Sequence, residues 1–219
     1  MVERYLDLLR GVALGSGPWM TFNAILAVIP AVLAVALFHR PRRRTAAWWV
    51  GVVAFVLFLP NAPYVITDLI HLRSMLAAHP GTEASGLVPA GALAGLVVWG
   101  LAAYAVALVE IDRVLARVGW ARHRLAVRTA VHLVCAFGVV LGRVPRLHSW
   151  HVVTRPAATV DGIVGVLHPL AVPLVVGLAI TFALGAAALT AVARAAAART
   201  AELLRSLDAL RRGPSNASA

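Results

Sequence analysis

The stretch FLPNAPYVITDLIHL, from Phe58 to Leu72, places helix-breaking and polar residues at the end of an apolar run. That run begins at Ala46, and the 14 residues from there to Leu59 make ~21 Å of helix. The hydrocarbon core of a bilayer is about 30 Å thick, so Pro60 and Pro63 fall inside it. Each proline lacks the backbone N–H that a helix uses. The sequence therefore predicts a membrane-spanning helix that is kinked or broken at these prolines.

The composition is that of an integral membrane protein. Of 219 residues, 61% are hydrophobic and 13% are charged, and the mean hydropathy is +0.84, whereas soluble domains contain about 25% charged residues. The net charge is +11, and because the chain has no lysine, all of its basic residues other than histidine are arginines. These arginines lie between long apolar runs instead of on one soluble face, which argues against a nucleic-acid partner. The expected partners are membrane lipids.

Five continuous apolar segments have the length of transmembrane helices, and their continuity argues against strands. The predicted fold is an all-α, polytopic bundle of five spans, preceded by an N-terminal interfacial segment (1–17) and followed by a cytoplasmic helix and tail (194–219). The bundle itself covers residues 18–193. The fifth span could begin earlier than Pro169, because residues 163–167 are also apolar. The predicted spans are Pro18–Phe38, Ala46–Ile66, Leu87–Val109, Leu125–Leu141 and Pro169–Ala193.

The arginines predict the orientation of these spans. Fourteen arginines flank the spans on one side and six on the other, and cytoplasmic loops are the ones enriched in Arg. The N-terminus is therefore expected outside and the C-terminus in the cytoplasm of a multi-pass cell-membrane protein.

Small residues suggest where helices approach closely. Gly91 and Gly95 form one GxxxG pair, and Gly138 and Gly142 form another. Such pairs allow close helix contact in lipid, either inside one bundle or in a homo-oligomer. The single Cys135 has no partner in the chain for a disulfide, and its apolar surroundings favour a packing role.

A polar site is predicted at the outer end of the bundle. We expect Asn61 to cap a resumed half-helix with Pro63 in its first turn. Tyr64, Asp68 and His71 are spaced by four and three residues and therefore share one helical face. Span four ends nearby with further polar groups, and span one adds Asn23. The candidate ligand-binding residues are Asn61, Tyr64, Asp68, His71, Arg143, Arg146 and Trp150.

Three blocks of this sequence resemble the bacterial membrane proteins grouped as domain of unknown function 1361. The blocks are FNAILAVIP (Phe22–Pro30), FLPNAPYVITDLIHL (Phe58–Leu72) and LGRVPRLHSWHVVTRP (Leu141–Pro156). The resemblance implies a multi-span bacterial inner-membrane protein and implies no reaction. In the family pattern, the third block has an asparagine before serine-tryptophan and an aspartate after it. This chain has His148 and His151 there, which puts any role of that carboxylate in doubt.

Three functions are compatible with the polar site. Asp68 could pair with Arg143 or Arg146 as a structural clasp, because an unpaired charge in the membrane is costly. The two arginines could instead hold an anionic lipid headgroup or a small solute, for binding or transport.

The third hypothesis is that the protein is an enzyme that acts on a lipid or a lipid-linked substrate. Asp68 and His71 would serve as acid and base, or they would bind a metal together with His148 and His151. The sequence has no phosphate-binding loop, nucleophile elbow, HExxH motif or dinucleotide fingerprint. It therefore assigns no catalytic residue, no cofactor and no metal site.

Overall fold

The described part of the chain is helical. The structure is a computed structural model that describes residues 15–41, 43–77, 83–147, 151–169 and 171–212, and it contains no strand within these ranges. Two 3-10 segments, Val65–His71 and Ala121–His123, lie between α-helices. The α-helices are α1 (Gly17–Phe38), α2 (Ala46–Phe58), α3 (Asn61–Tyr64), α4 (Leu72–Ala77), α5 (Glu83–Arg117), α6 (Arg124–Arg143), α7 (His151–Thr154), α8 (Pro156–Val166) and α9 (Ala171–Arg212).

The predicted all-α bundle with five spans is confirmed, and the chain is a multi-pass membrane protein. Among the described residues, five helical segments are long and apolar enough to cross a membrane: Gly17–Phe38, Ala46–Ala77, Gly86–Arg117, Ala121–Arg143 and Ala171–Asp208. The orientation of the termini and the division into segments 1–17, 18–193 and 194–219 stay predictions. In the structure, α9 runs without interruption through position 194.

The apolar residues 163–167 are not the start of the fifth span. Residues up to Val166 belong to α8, whose 11 residues make only ~16 Å of helix, too short to cross a bilayer. The chain leaves helical geometry at Leu167, which has ψ 59°. Pro169 then follows before α9 begins at Ala171.

The second span is broken at the prolines, as predicted. Pro63 has no N–H for the carbonyl of Leu59, and the N–H of Ala62 donates to that carbonyl instead, at 3.3 Å. The carbonyl of Phe58 accepts from the Asn61 side chain at 2.9 Å. The expected capping role of Asn61 is wrong, because Pro60 occupies the N-cap of α3 and Asn61 is its first residue. Pro63 does lie in that first turn.

Close packing of α6 against α3 depends on the second glycine pair. A Cβ on Gly138 would lie 2.7 Å from Cγ of Pro60, and one on Gly142 would lie 3.2 Å from the Tyr64 ring. The interpretation of this pair as packing inside one bundle is confirmed. A Cβ on Gly91 or Gly95 would meet nothing within 4 Å, so for this pair homo-oligomerisation stays a prediction.

The core lies where α1, α2, α5, α6 and α9 meet. It contains small residues that let helices approach, and aromatic rings that fill the remaining space. Cys135 is fully buried there, in agreement with a packing role. Its principal members are Ala31, Ala34, Phe38, Phe55, Tyr104, Ala107, Cys135, Ala136 and Phe182.

The two ends of the bundle differ in chemistry. At the arginine-rich end, α1 and α5 finish and α2 and α6 begin. Asp112 joins α5 to α6 there, with Arg128 at 2.6 Å and Arg124 at 3.6 Å. At the opposite end, which we call the Asp68 end, α1 and α5 begin and α6 finishes at Arg143.

Candidate functional site

Asp68 joins three spans at the Asp68 end. Its side chain is 1% exposed. Oδ1 accepts a hydrogen bond from a terminal guanidinium nitrogen of Arg143 at 2.6 Å, and Oδ2 accepts one from Asn23 Nδ2 at 2.7 Å. Asn23 belongs to α1, Asp68 to the broken second span and Arg143 to the last turn of α6. The predicted pairing of Asp68 with an arginine is confirmed, and the partner is Arg143.

The break in the second span places Tyr64, Thr67 and Asp68 around the guanidinium of Arg143. Its Nε donates to Thr67 Oγ1 at 2.9 Å, and that hydroxyl donates to the carbonyl of Tyr64 at 2.7 Å. The guanidinium carbon lies 4.8 Å from the centroid of the Tyr64 ring, which is cation–π distance. These residues, Asn23, Tyr64, Thr67, Asp68 and Arg143, are called the Asp68 cluster.

The Asp68 cluster provides hydrogen-bond partners for the Asp68 carboxylate, which would be energetically costly in the membrane without them. A buried carboxylate without a partner costs several kcal/mol, and intramembrane acids are therefore paired. Each oxygen of Asp68 accepts one hydrogen bond, from a cation on one side and an amide on the other. The ion pair is electrically neutral as a unit, so Arg143 offers little net positive charge to a ligand.

A cleft of about 290 Å³ lies beside the Asp68 cluster. It is bounded by α1, α2, α3, α6, α7 and α8, and most of its wall is apolar. Asn23 and Tyr64 belong to both the cleft wall and the cluster, and Asn61 and Thr159 add polar groups. The apolar wall includes Phe22, Leu26, Val56, Val134, Phe137 and Val152.

The structure divides the predicted site residues between the cleft, the Asp68 cluster and the surrounding surface. Asn61 and Tyr64 line the cleft, whereas Asp68 and Arg143 do not, although Arg143 contacts the Tyr64 ring. The His71 ring packs against Trp19, with centroids 5.1 Å apart.

The chain turns sharply after α6, and this turn decides which arginine reaches Asp68. Arg146 is exposed and has a left-handed backbone with φ 56°. The N–H of Leu147 donates to the carbonyl of Leu141 at 3.1 Å. This bond folds the chain back on the helix end and places Arg146 at the surface, away from the ion pair. Trp150 lies outside the described residues.

These contacts give no direct support to the hypotheses of catalysis and of metal binding at the polar site. Both oxygens of Asp68 are bonded to Arg143 and Asn23, and His71 packs on Trp19. Within the described ranges, no group of three or more His, Cys, Asp or Glu could hold a metal ion. His148, one of the residues considered for such a site, lies outside those ranges.

Sequence reasoning did not identify Thr67 or the apolar cleft wall. A threonine inside a helix usually bonds to its own backbone, so Thr67 gave no signal beyond its position before Asp68. The sequence did not predict that α8 contributes to the cleft wall, because the apolar residues 163–167 were interpreted as a possible start of the fifth span.

Comparison with known proteins places the chain in one family. The family model described as Protein of unknown function (DUF1361) matches residues 22–185, more than half of the 219 residues. The chain belongs to the DUF1361 family. The resemblance seen in the three sequence blocks is thereby confirmed. No curated protein and no solved structure matches the chain.

In this DUF1361 protein, the three blocks meet at the Asp68 cluster. The block Phe22–Pro30 supplies Asn23, the block Phe58–Leu72 supplies Asp68, and the block Leu141–Pro156 supplies Arg143. Segments separated by 45 and 75 residues in sequence thus provide the three members of one hydrogen-bonded unit.

Proposed function

We propose that this DUF1361 protein binds a membrane amphiphile in the cleft beside the Asp68 cluster. The observation that supports this most is the cleft itself: a space of about 290 Å³ between membrane-spanning helices, apolar along most of its wall and polar at Asn23, Asn61 and Tyr64. Ligand sites typically combine such an apolar wall with a few placed polar groups.

The volume favours one chain of a lipid over a whole lipid. Pockets that enclose a drug-sized molecule measure about 300–1,000 Å³, so this cleft is at the lower limit. An acyl or isoprenoid chain segment fits against Phe22, Val56, Val134 and Phe137. The remainder of the molecule would stay in the bilayer.

The polar groups favour a ligand with a hydrogen-bonding linkage and an anionic headgroup. Tyr64 and Asn61 can meet an ester or hydroxyl group at the polar part of the wall. Arg143, neutralised by Asp68, fixes the Tyr64 ring and does not hold the anion directly. Arg146 is exposed and directly precedes Leu147, which lines the cleft, and it supplies the positive charge for a headgroup phosphate.

Filling the cleft tests this proposal with a matched control. Val134→Phe adds a ring at a cleft-lining position, and Leu133→Phe adds one at the neighbouring exposed position outside the cleft. The protein is purified in mild detergent, co-purified lipids are counted by native mass spectrometry, and the melting temperature is measured for each variant. We expect Val134→Phe to lose bound lipid and Leu133→Phe to retain it, with similar melting temperatures.

A second variant tests the polar part of the wall. Tyr64→Phe removes the hydroxyl but keeps the ring beside Arg143, so the fold should persist while lipid retention falls. The proposal fails if lipid retention changes only in variants whose melting temperature collapses. That result would favour a structural clasp that holds the broken span against α6.

A further inference from the structure

A second cavity, of about 160 Å³, lies at the arginine-rich end, away from the cleft beside the Asp68 cluster. It sits where α1 ends, the connection to α2 turns, and α5 ends. We call this cavity the basic pocket. Its lining residues include three arginines, a tryptophan and aliphatic residues: Arg40, Arg44, Arg117, Trp48, Leu37 and Val114.

No carboxylate lines the basic pocket among the residues that the structure describes. Glu110, which lies four residues before Val114 on α5, is 4% exposed. Its Oε1 is contacted by both Arg113 and His39, so its charge is already compensated by neighbours outside the pocket wall. The positive charges of the pocket are therefore left for another anion.

The beginning of α2 adds to this positive potential. Thr45 caps the helix by accepting a hydrogen bond from the N–H of Trp48 at 3.2 Å. The first turn of this 13-residue helix contains no acidic residue. A helix N-terminus with its unpaired N–H groups favours a negative charge.

The three arginines have different roles. Arg117 is structural, because one guanidinium nitrogen donates to the carbonyl of Phe38 and its Nε donates to the carbonyl of Arg113 at 3.2 Å. Arg40 and Arg44 are exposed, and neither forms a hydrogen bond or ion pair with another residue in the described part of the chain. Two arginines with open guanidinium donors thus line one cavity, and the third arginine that lines it is held in place by backbone carbonyls.

We propose that the basic pocket binds a phosphate group, presented by an anionic lipid headgroup or by a free phosphate. Guanidinium groups bind phosphate through charge-assisted, often bidentate hydrogen bonds. Basic pockets between transmembrane helices are suited to anionic headgroups. Trp48 favours the membrane–water boundary, and Leu37 and Val114 provide an apolar surface for the glycerol and the first chain carbons.

The test compares two arginine variants of the full chain in detergent. The double variant Arg40→Gln/Arg44→Gln removes both open guanidinium groups. The control is Arg43→Gln, since Arg43 is an exposed arginine of the same connection that does not line the pocket. Arg117 is left unchanged because it holds the backbone of Phe38. Binding of phosphatidylglycerol is measured by native mass spectrometry, and protection by inorganic phosphate is measured as a shift in melting temperature.

We expect phosphatidylglycerol affinity to fall about 5-fold for each arginine removed, or ~25-fold in the double variant, and to be nearly unchanged in Arg43→Gln. Loss of phosphatidylglycerol binding would identify a lipid headgroup as the source of the phosphate. Loss of protection by inorganic phosphate alone would identify a free anion. Equal binding by all three proteins, or an equal loss in Arg43→Gln, would overturn the proposal.

Discussion

Removing one member of the Asp68–Arg143 pair should destabilise the protein by an amount that depends on which member is removed. Arg143→Leu leaves the carboxylate of Asp68 without its cation at a site that is 1% exposed. Breaking a buried pair in this way costs about 3–5 kcal/mol. Asp68→Asn leaves Arg143, whose side chain is 27% exposed and can reach water. The loss is then chiefly that of a charge-assisted hydrogen bond, about 1.5–3 kcal/mol.

The double variant separates a direct contact from two independent effects. In Asp68→Asn/Arg143→Leu neither charge remains, so its cost should be smaller than the sum of the single costs. We expect a coupling of about 2–3 kcal/mol, in the upper range for residues in direct contact. Arg146→Leu is the control, because Arg146 is exposed and exposed substitutions usually change stability by about 0.5 kcal/mol or less.

The assay is equilibrium unfolding of the purified protein in bicelles, followed by tryptophan fluorescence in increasing denaturing detergent. Strict additivity of the single variants would refute the pairing. A cost for Arg146→Leu equal to that of Arg143→Leu would refute the assignment of the partner. A larger cost for Asp68→Asn than for Arg143→Leu would refute the argument from burial.

Two further predictions concern packing and orientation. Gly138→Ala should lower the free energy of unfolding by about 1–3 kcal/mol, because its Cβ would lie 2.7 Å from the rigid ring of Pro60. Gly91→Ala, whose Cβ would meet nothing within 4 Å, should leave it unchanged in the same assay. Equal effects of the two substitutions would contradict the described contact of α6 with α3. A reporter fused after Ala219 should be active in the cytoplasm, and a tag placed between residues 80 and 86 should be accessible from outside; the reverse pattern would overturn the orientation predicted from arginine placement.

The features that depend on local composition could be predicted from the sequence. Hydropathy was sufficient for the five spans, because each crosses lipid as a continuous apolar run. The break in the second span followed from Pro60 and Pro63, which lack the donors that a helix needs. The need for a cation beside Asp68 followed from the cost of an isolated charge in the membrane.

The features that depend on three-dimensional contacts could not be predicted. The choice of Arg143 over Arg146 depends on the turn after α6, where Arg146 has φ 56° and is directed to the surface. The role of Asn61 depends on the N–H of Ala62, which donates to the carbonyl of Leu59 and leaves that of Phe58 to the Asn61 side chain. The cleft requires α8, whose place beside α6 no local pattern specifies.

An experimental density map of the protein in lipid nanodiscs tests the central claim, amphiphile binding in the cleft, most directly. We predict elongated density along Phe22, Val56, Val134 and Phe137, with its polar end at Tyr64. A cleft that the surrounding side chains close, or that contains no density at a resolution where neighbouring lipids are visible, would contradict the account.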